Sequence, residues 1–445
     1  MRIRALLLSV AVFGCQAAAA PAASPQGDDG REANWPQWRG PAGNGVAPRA
    51  DPPIRWSEEK NVRWKLALPG LGHSTPVVWG DRIFVTAALP FGDPVAPTAG
   101  RRDGEHDNLK AVRRQKFVVL AVGRGDGKIV WQRTVRENVP HESGHQTGSF
   151  ASNSPVTDGE RVYAFFGSNG LYCLNWDGLP LWEKDFGQMH SLHAHGEGSS
   201  PALHGETLIV NWDHQGSCFV AAFDTRTGKE RWKAAREEIT SWSTPLVVEH
   251  KDAPQVIVSA THRIRGYDLA TGRVLWECGG LSQNVVSSPV AGDGLVIAGS
   301  SYEKRAMLAI RLEGAKGDIT GTDHVIWTRD RNTPYVPSPL LYEGKLYFFS
   351  HYQAVLFCLD ARTGEAHYGP ARLPEVTDFY ASPLGAAGRV YLTSREGVTL
   401  VLKHGPALEI LATNRLDDRF SASPVAVGAD LLLRGERHLY CISER

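Results

Sequence analysis

The chain has 445 residues, 42% hydrophobic and 22% charged, enough to bury a large core, and its 46 glycines and 27 prolines point to many tight turns and an all-β fold. Lys and Arg together number 48, as do Asp and Glu, so charge gives no reason to expect nucleic acid or an anionic membrane surface as a partner.

The chain opens with a basic head, Met1-Arg-Ile-Arg4, followed by an apolar run over residues 5–14 that is too short to span a bilayer. It reads as an export signal within residues 1–23. Two ways of finishing that signal are open. Val12-Phe13-Gly14-Cys15 has the form of a lipoprotein box with Cys15 as the acylated residue, while residues 17–20 offer ordinary small-residue cleavage sites. Polar composition with Pro and Gly then predicts a flexible tether, and residues 35–46 (WPQWRGPAGNGV) are too irregular for a strand but too aromatic to stand free in water. This stretch is expected to pack across the surface of the domain, so that residues 24–53 precede the folded body.

From residue 54 onward the sequence repeats. Ala222 to Trp232 (AFDTRTGKERW) reads A-x-D-x-x-T-G-x-x-x-W, and it recurs as GYDLATGRVLW ending at Trp276, CLDARTGEAHY ending at Tyr368 and, degraded, AVGRGDGKIVW ending at Trp131. A second marker, Ser or Thr before Pro, precedes apolar residues eight times, at Pro76, Pro155, Pro201, Pro245, Pro289, Pro339, Pro383 and Pro424. Successive copies lie 41 to 50 residues apart except the first pair, 79 apart, which predicts an insertion near residues 89–115. The period is that of a four-stranded propeller blade. In the motif, Asp can accept backbone amides of the following turn, Gly takes a left-handed dihedral, and Trp fills the gap to the neighbouring blade. The eighth repeat stops before its Trp strand. The missing strand is expected near Trp64, which falls 12 residues before Pro76 as Trp327 falls 12 before Pro339. The predicted fold is therefore all-β, one eight-bladed propeller over residues 54–445, closed by an N-terminal strand that completes the C-terminal blade. Cys173, Cys358 and Cys441 take equivalent small-residue positions in separate repeats, so the thiols are expected to be free and buried.

These repeats resemble those of the pyrroloquinoline-quinone (PQQ) propeller superfamily, which includes quinoprotein alcohol dehydrogenases and the propeller lipoprotein of the outer-membrane assembly machine. The resemblance covers almost the whole mature chain. It implies a binding scaffold or, alternatively, a PQQ- or metal-dependent oxidoreductase with its site at the channel mouth. The dehydrogenases would call for two adjacent cysteines forming a disulfide over the quinone, and no Cys-Cys pair occurs. Trp242, just before Thr244-Pro245, is the one candidate to lie under a flat cofactor ring, its other reading being core packing.

Of 16 histidines, six fall in three consecutive blade-to-blade connections. They are His73; His141 and His145; and His190, His193 and His195, with Glu197 close behind. These seven residues form the candidate transition-metal set, against the alternative that they are hydrogen-bonded surface groups. Residues 101–116 carry seven basic side chains and read as a solvated insertion. The function expected from the whole is an exported, envelope-bound, monomeric scaffold with a protein, peptide or glycan partner and no resident cofactor.

Overall fold

The computed structural model describes residues 28–98, 104–250 and 253–444. The export segment and Cys15 lie outside them. Eight antiparallel sheets surround a common axis, each built of consecutive strands running from the axis outward. Blade 3 is typical, with Ala202–His204, Thr207–Trp212, Cys218–Asp224 and Glu230–Arg236. The first strands of successive blades touch one another around the axis. Blade 8 takes Val425–Val427, Asp430–Arg434 and His438–Ile442 from the end of the chain and Val62–Ala67 from its beginning, with Trp64 opposite Cys441. The expected closure is therefore present. Among the described residues no helix is long and apolar enough to cross a membrane.

The small residue of the motif has a steric cause. Across the third and fourth strands, Ala121 faces Trp131, Cys173 faces Trp182, Ala222 faces Trp232, Gly266 faces Trp276, and Ala309 faces Trp327. A large side chain opposite an indole would have no room. All five described cysteines are free and buried. Each indole then reaches the next blade. The Nε1–H of Trp64, Trp131, Trp182, Trp232 and Trp327 donates to a carbonyl in the following blade's turn at 2.8–2.9 Å. The turn glycine lies on the ring: a Cβ at Gly127, Gly178, Gly228 or Gly364 would stand 2.5–2.8 Å from indole atoms. Asp224 holds that turn in shape by accepting the N–H groups of Arg226 and Thr227 and the Thr227 hydroxyl.

Three blades depart from the rule. In blade 5 the tight turn is replaced by residues 312–324, and Gly317–Asp318 adds a short parallel fifth strand to blade 4. Trp276 has no such turn to meet; it is fully buried and donates to the Gln255 side chain at 2.9 Å. Blade 6 carries Tyr368 in the Trp position, and blade 7 carries Ala412 there, because the neighbouring blade 8 has no third-to-fourth-strand turn to receive a Trp. Trp56, arriving from the N-terminal segment, packs into the same cluster as Ala412. Its backbone N–H is held by Asn414 at 2.8 Å.

The Ser/Thr-Pro marker proves to be a closed ring of hydrogen bonds. The backbone N–H of Thr75 donates to the Ser154 hydroxyl, Ser154 to Ser200, Ser200 to Thr244, Thr244 to Ser288, Ser288 to Ser338, Ser338 to Ser382, Ser382 to Ser423, and Ser423 back to Thr75. All eight lie between 2.8 and 3.1 Å. The residue before each proline is held extended, which aims its N–H sideways at the next blade rather than along a ladder.

The segment before the ring does more than lie on the surface. Trp35 bridges Val78 of blade 1, Pro36 accepts from Thr157 of blade 2, and Gln37 accepts from Leu203 of blade 3. Gly43 abuts Leu246 of blade 4. Arg39 donates to the carbonyls of Pro339 and Pro383 in blades 6 and 7 at 2.6 Å each, and Asp51 donates from its N–H to Gly428 of blade 8. Touching seven blades requires crossing the axis, so this segment closes the turn face of the channel. Arg39 is 3% exposed, and burial lowers its pKa to about 9. The tether also ends earlier than its composition suggests: Asp28–Glu32 is a short helix, and Arg31 is anchored on the carbonyls of Pro41 and Leu203.

Candidate functional site

The opposite face carries the connections from each fourth strand to the next first strand. There the predicted insertion folds back. Arg82–Val95 and Val112–Gly123 form a long hairpin in blade 1, pairing as far out as Val95 with Val112. Its tip is pinned to the two histidine-bearing connections: Leu109 N–H donates to Gly144, the Ser143 hydroxyl donates to Leu109 at 2.6 Å, and Gln146 N–H donates to Asp107. Asn108 donates to the His193 carbonyl at 2.8 Å. The charged run is thus solvated on one side only; its described part is a lid over these loops.

The structure sorts the predicted residues into separate groups. His141 and His190 come together, rings 5.5 Å apart, with Glu142 between them, a residue the sequence reading passed over. Glu142 is 5% exposed; one oxygen lies 3.1 Å from His190 Nδ1 and the other accepts the Ser191 N–H and hydroxyl. His145, His193 and His195 form a second cluster with His106 from the lid, with neighbouring ring centroids 4.8–5.4 Å apart. Burial lowers the pKa of His145 and His193, and it lowers that of His195 to about 4 with help from the neighbouring rings. At pH 7 the His195 ring is therefore neutral. His193 sits at a left-handed backbone position, φ 58°, which tips its ring towards Tyr302.

Glu197 belongs to neither group as a ligand. It accepts the N–H and hydroxyl of Ser168 at 2.6 and 2.5 Å, and burial, with the Glu142 charge nearby, raises its pKa to about 7. Glu142, Glu197, His141 and His195 all line one cleft, with Asn153 and Phe150 among its walls. His73 stands apart: burial, then Arg434 and Arg395, lower its pKa to about 3.

Across the mouth the loops meet. His193 Nε2 lies 3.0 Å from the Tyr302 hydroxyl of blade 5, and Thr147 donates to the Tyr380 hydroxyl at 3.3 Å. Tyr302, Tyr335, Tyr352 and Tyr380 form an arc with centroid spacings of 5.9–6.4 Å, with Tyr335 and Tyr352 also flanking His351. Arg395 lies over the Tyr380 ring at 4.4 Å. These residues come from loops without a repeat signature, and only their aromatic character could have marked them.

Part of what the resemblance implies for a quinone is missing from the described residues. Trp242 is half-buried, its indole N–H is spent on the Gly196 carbonyl at 2.7 Å, and Gly198 packs against it. The described cysteines sit inside the blade strands, no two of them adjacent in sequence.

The sequence profile of a family described as outer membrane protein assembly factor BamB matches residues 115–367, more than half of the chain. No curated protein matches it in sequence. Among solved structures, BamB from Moraxella catarrhalis superposes with a TM-score of 0.55 at 13% identity, covering 86% of this chain and 97% of that one. A europium-containing methanol dehydrogenase gives 0.61 at 10% identity, covering 89% of each. The quinohemoprotein alcohol dehydrogenase from Comamonas testosteroni gives 0.62 at 11% identity, covering 94% of this chain and 81% of that one. At such identities the likeness shows a common fold.

Proposed function

The chain belongs to the family described as outer membrane protein assembly factor BamB, and from that premise we propose that it is an exported scaffold of the cell envelope that holds a polypeptide partner on its loop face. The basic head and apolar run of the first residues support export, finished either by acylation at Cys15 or by cleavage within residues 17–20. The observation that carries the reading is the tyrosine arc. Tyr302 is 40% exposed, and Tyr335, Tyr352 and Tyr380 are half-buried beside it. Tyrosines of this kind offer large, stiff contact area with a hydroxyl at the rim, and Arg395 adds a cation that stacks. The lid and the two pinned connections give such a surface a fixed shape, which limits the ordering cost of binding.

The test is photo-crosslinking in native cells. A photoreactive residue in place of Tyr352 is expected to give a discrete protein adduct, and one at Thr227 on the opposite turn face is expected to give none. Adducts from Thr227 alone, or none from Tyr352, would overturn the loop-face reading.

A further inference from the structure

The group formed by His141, Glu142 and His190 has a geometry that the other histidines lack. One donor atom from each of the three lies within 4.8 Å of the others. The orientation of each is set from behind. His141 Nε2 lies 2.5 Å from the Met189 carbonyl, which can only accept, so Nε2 carries the proton and Nδ1 is the basic nitrogen of the neutral ring. A ligating imidazole is commonly fixed in this way, its other N–H bound to a carbonyl. Glu142 has one oxygen tied to Ser191 and presents the other to His190. The backbone N–H of His190 is in turn held by His214 Nδ1 at 3.2 Å.

A hydrogen-bonded or ionic Glu142–His190 pair would account for those two residues. It does not account for a second imidazole placed beside the same carboxylate in a buried setting. Two imidazoles and one carboxylate are a ligand set for zinc that leaves a coordination position for water or a fourth donor. With bonds of about 2.0–2.1 Å, ligand atoms around a tetrahedral ion stand about 3.4 Å apart, so the three donors need to close by little more than 1 Å. His190, whose side chain is 35% exposed, has room to make that movement, while His141 and Glu142 are buried and fixed.

We propose that His141, Glu142 and His190 bind one divalent transition-metal ion, zinc by ligand type, with its open position facing the cleft that Glu197 and His195 line. The proposal stands apart from the scaffold reading: the ion needs no protein partner, and the measurement below reads none.

The experiment titrates chelator-stripped full-length protein with zinc chloride by calorimetry and repeats the titration with cobalt chloride by visible absorption. One equivalent of zinc is expected to bind, and cobalt is expected to show the intense d–d bands of a four- or five-coordinate site. Glu142→Gln and His190→Ala, checked for native circular dichroism, are expected to weaken zinc at least tenfold. His193→Ala/His195→Ala is expected to leave it unchanged. Absence of stoichiometric zinc and of cobalt bands in the wild type would overturn the proposal without recourse to any variant. Unchanged affinity in both single variants, or loss of the ion in the double variant, would overturn it equally.

Discussion

Glu197 is a carboxyl whose charge the fold opposes. Its pKa stands at about 7 against an ordinary 4.5, chiefly through burial. Between those values the native state keeps a proton that the unfolded chain has released, so the contribution of this group to stability falls as pH rises through that window and is lowest above it. Glu197→Gln removes the ionisation and keeps an oxygen to accept from Ser168. It is expected to stabilise the protein by about 1–2 kcal/mol at pH 8 and to give no gain at pH 4, read from urea midpoints. An equal shift at both pH values would refute this account. At this scale the sequence was only partly readable. Its dense histidines singled out His141 and His190, but nothing local tells that Glu142 turns to face a residue 48 positions ahead. His106 was hidden in a charged run because its ring partners, His193 and His195, come from a connection nearly 90 residues further on.

At the scale of the blade, the recurring motif is one half of a joint whose other half is in the next repeat. Trp182 reaches blade 3, where Gly228, at φ +66°, lies against its indole and Thr225 accepts its N–H. Gly228→Ala therefore meets two costs, a left-handed backbone and a Cβ 2.7 Å from the ring. Gly205 separates them, since it also has positive φ (+51°) but has nothing within 4 Å. Gly205→Ala is expected to cost about 1 kcal/mol, and Gly228→Ala about 3 kcal/mol, measured by chemical denaturation. Equal costs would mean that the contact with the indole is slack. The turn and the wedge could be read from sequence because Asp, Gly and Trp act within a dozen residues. The role of the Ser/Thr before proline could not be read, because each hydroxyl serves the preceding blade, 41 to 50 residues away in all but two of the eight joints.

At the scale of the molecule, the ring is held by a strand pair whose two members, Val62–Ala67 and His438–Ile442, come from opposite ends of the chain. Removing residues up to Leu66 takes away the fourth strand of blade 8, Trp64 on its Gly127 seat, and the plug with Arg39. That truncation is expected to lower the melting temperature by at least about 10 °C or to abolish soluble protein; a melting temperature near that of the full chain would show that the closure contributes little. Eight blades and their closure follow from counting markers, whereas the plug does not, because residues 35–51 contact seven blades mostly at the blades' own backbone groups, which leave no pattern in side-chain type. The buried Arg39, seated on the carbonyls of blades 6 and 7, has a topological consequence. The propeller is a cup rather than a pipe. No polymer can be threaded along its axis, and a small ligand taken into the channel must leave by the mouth through which it came.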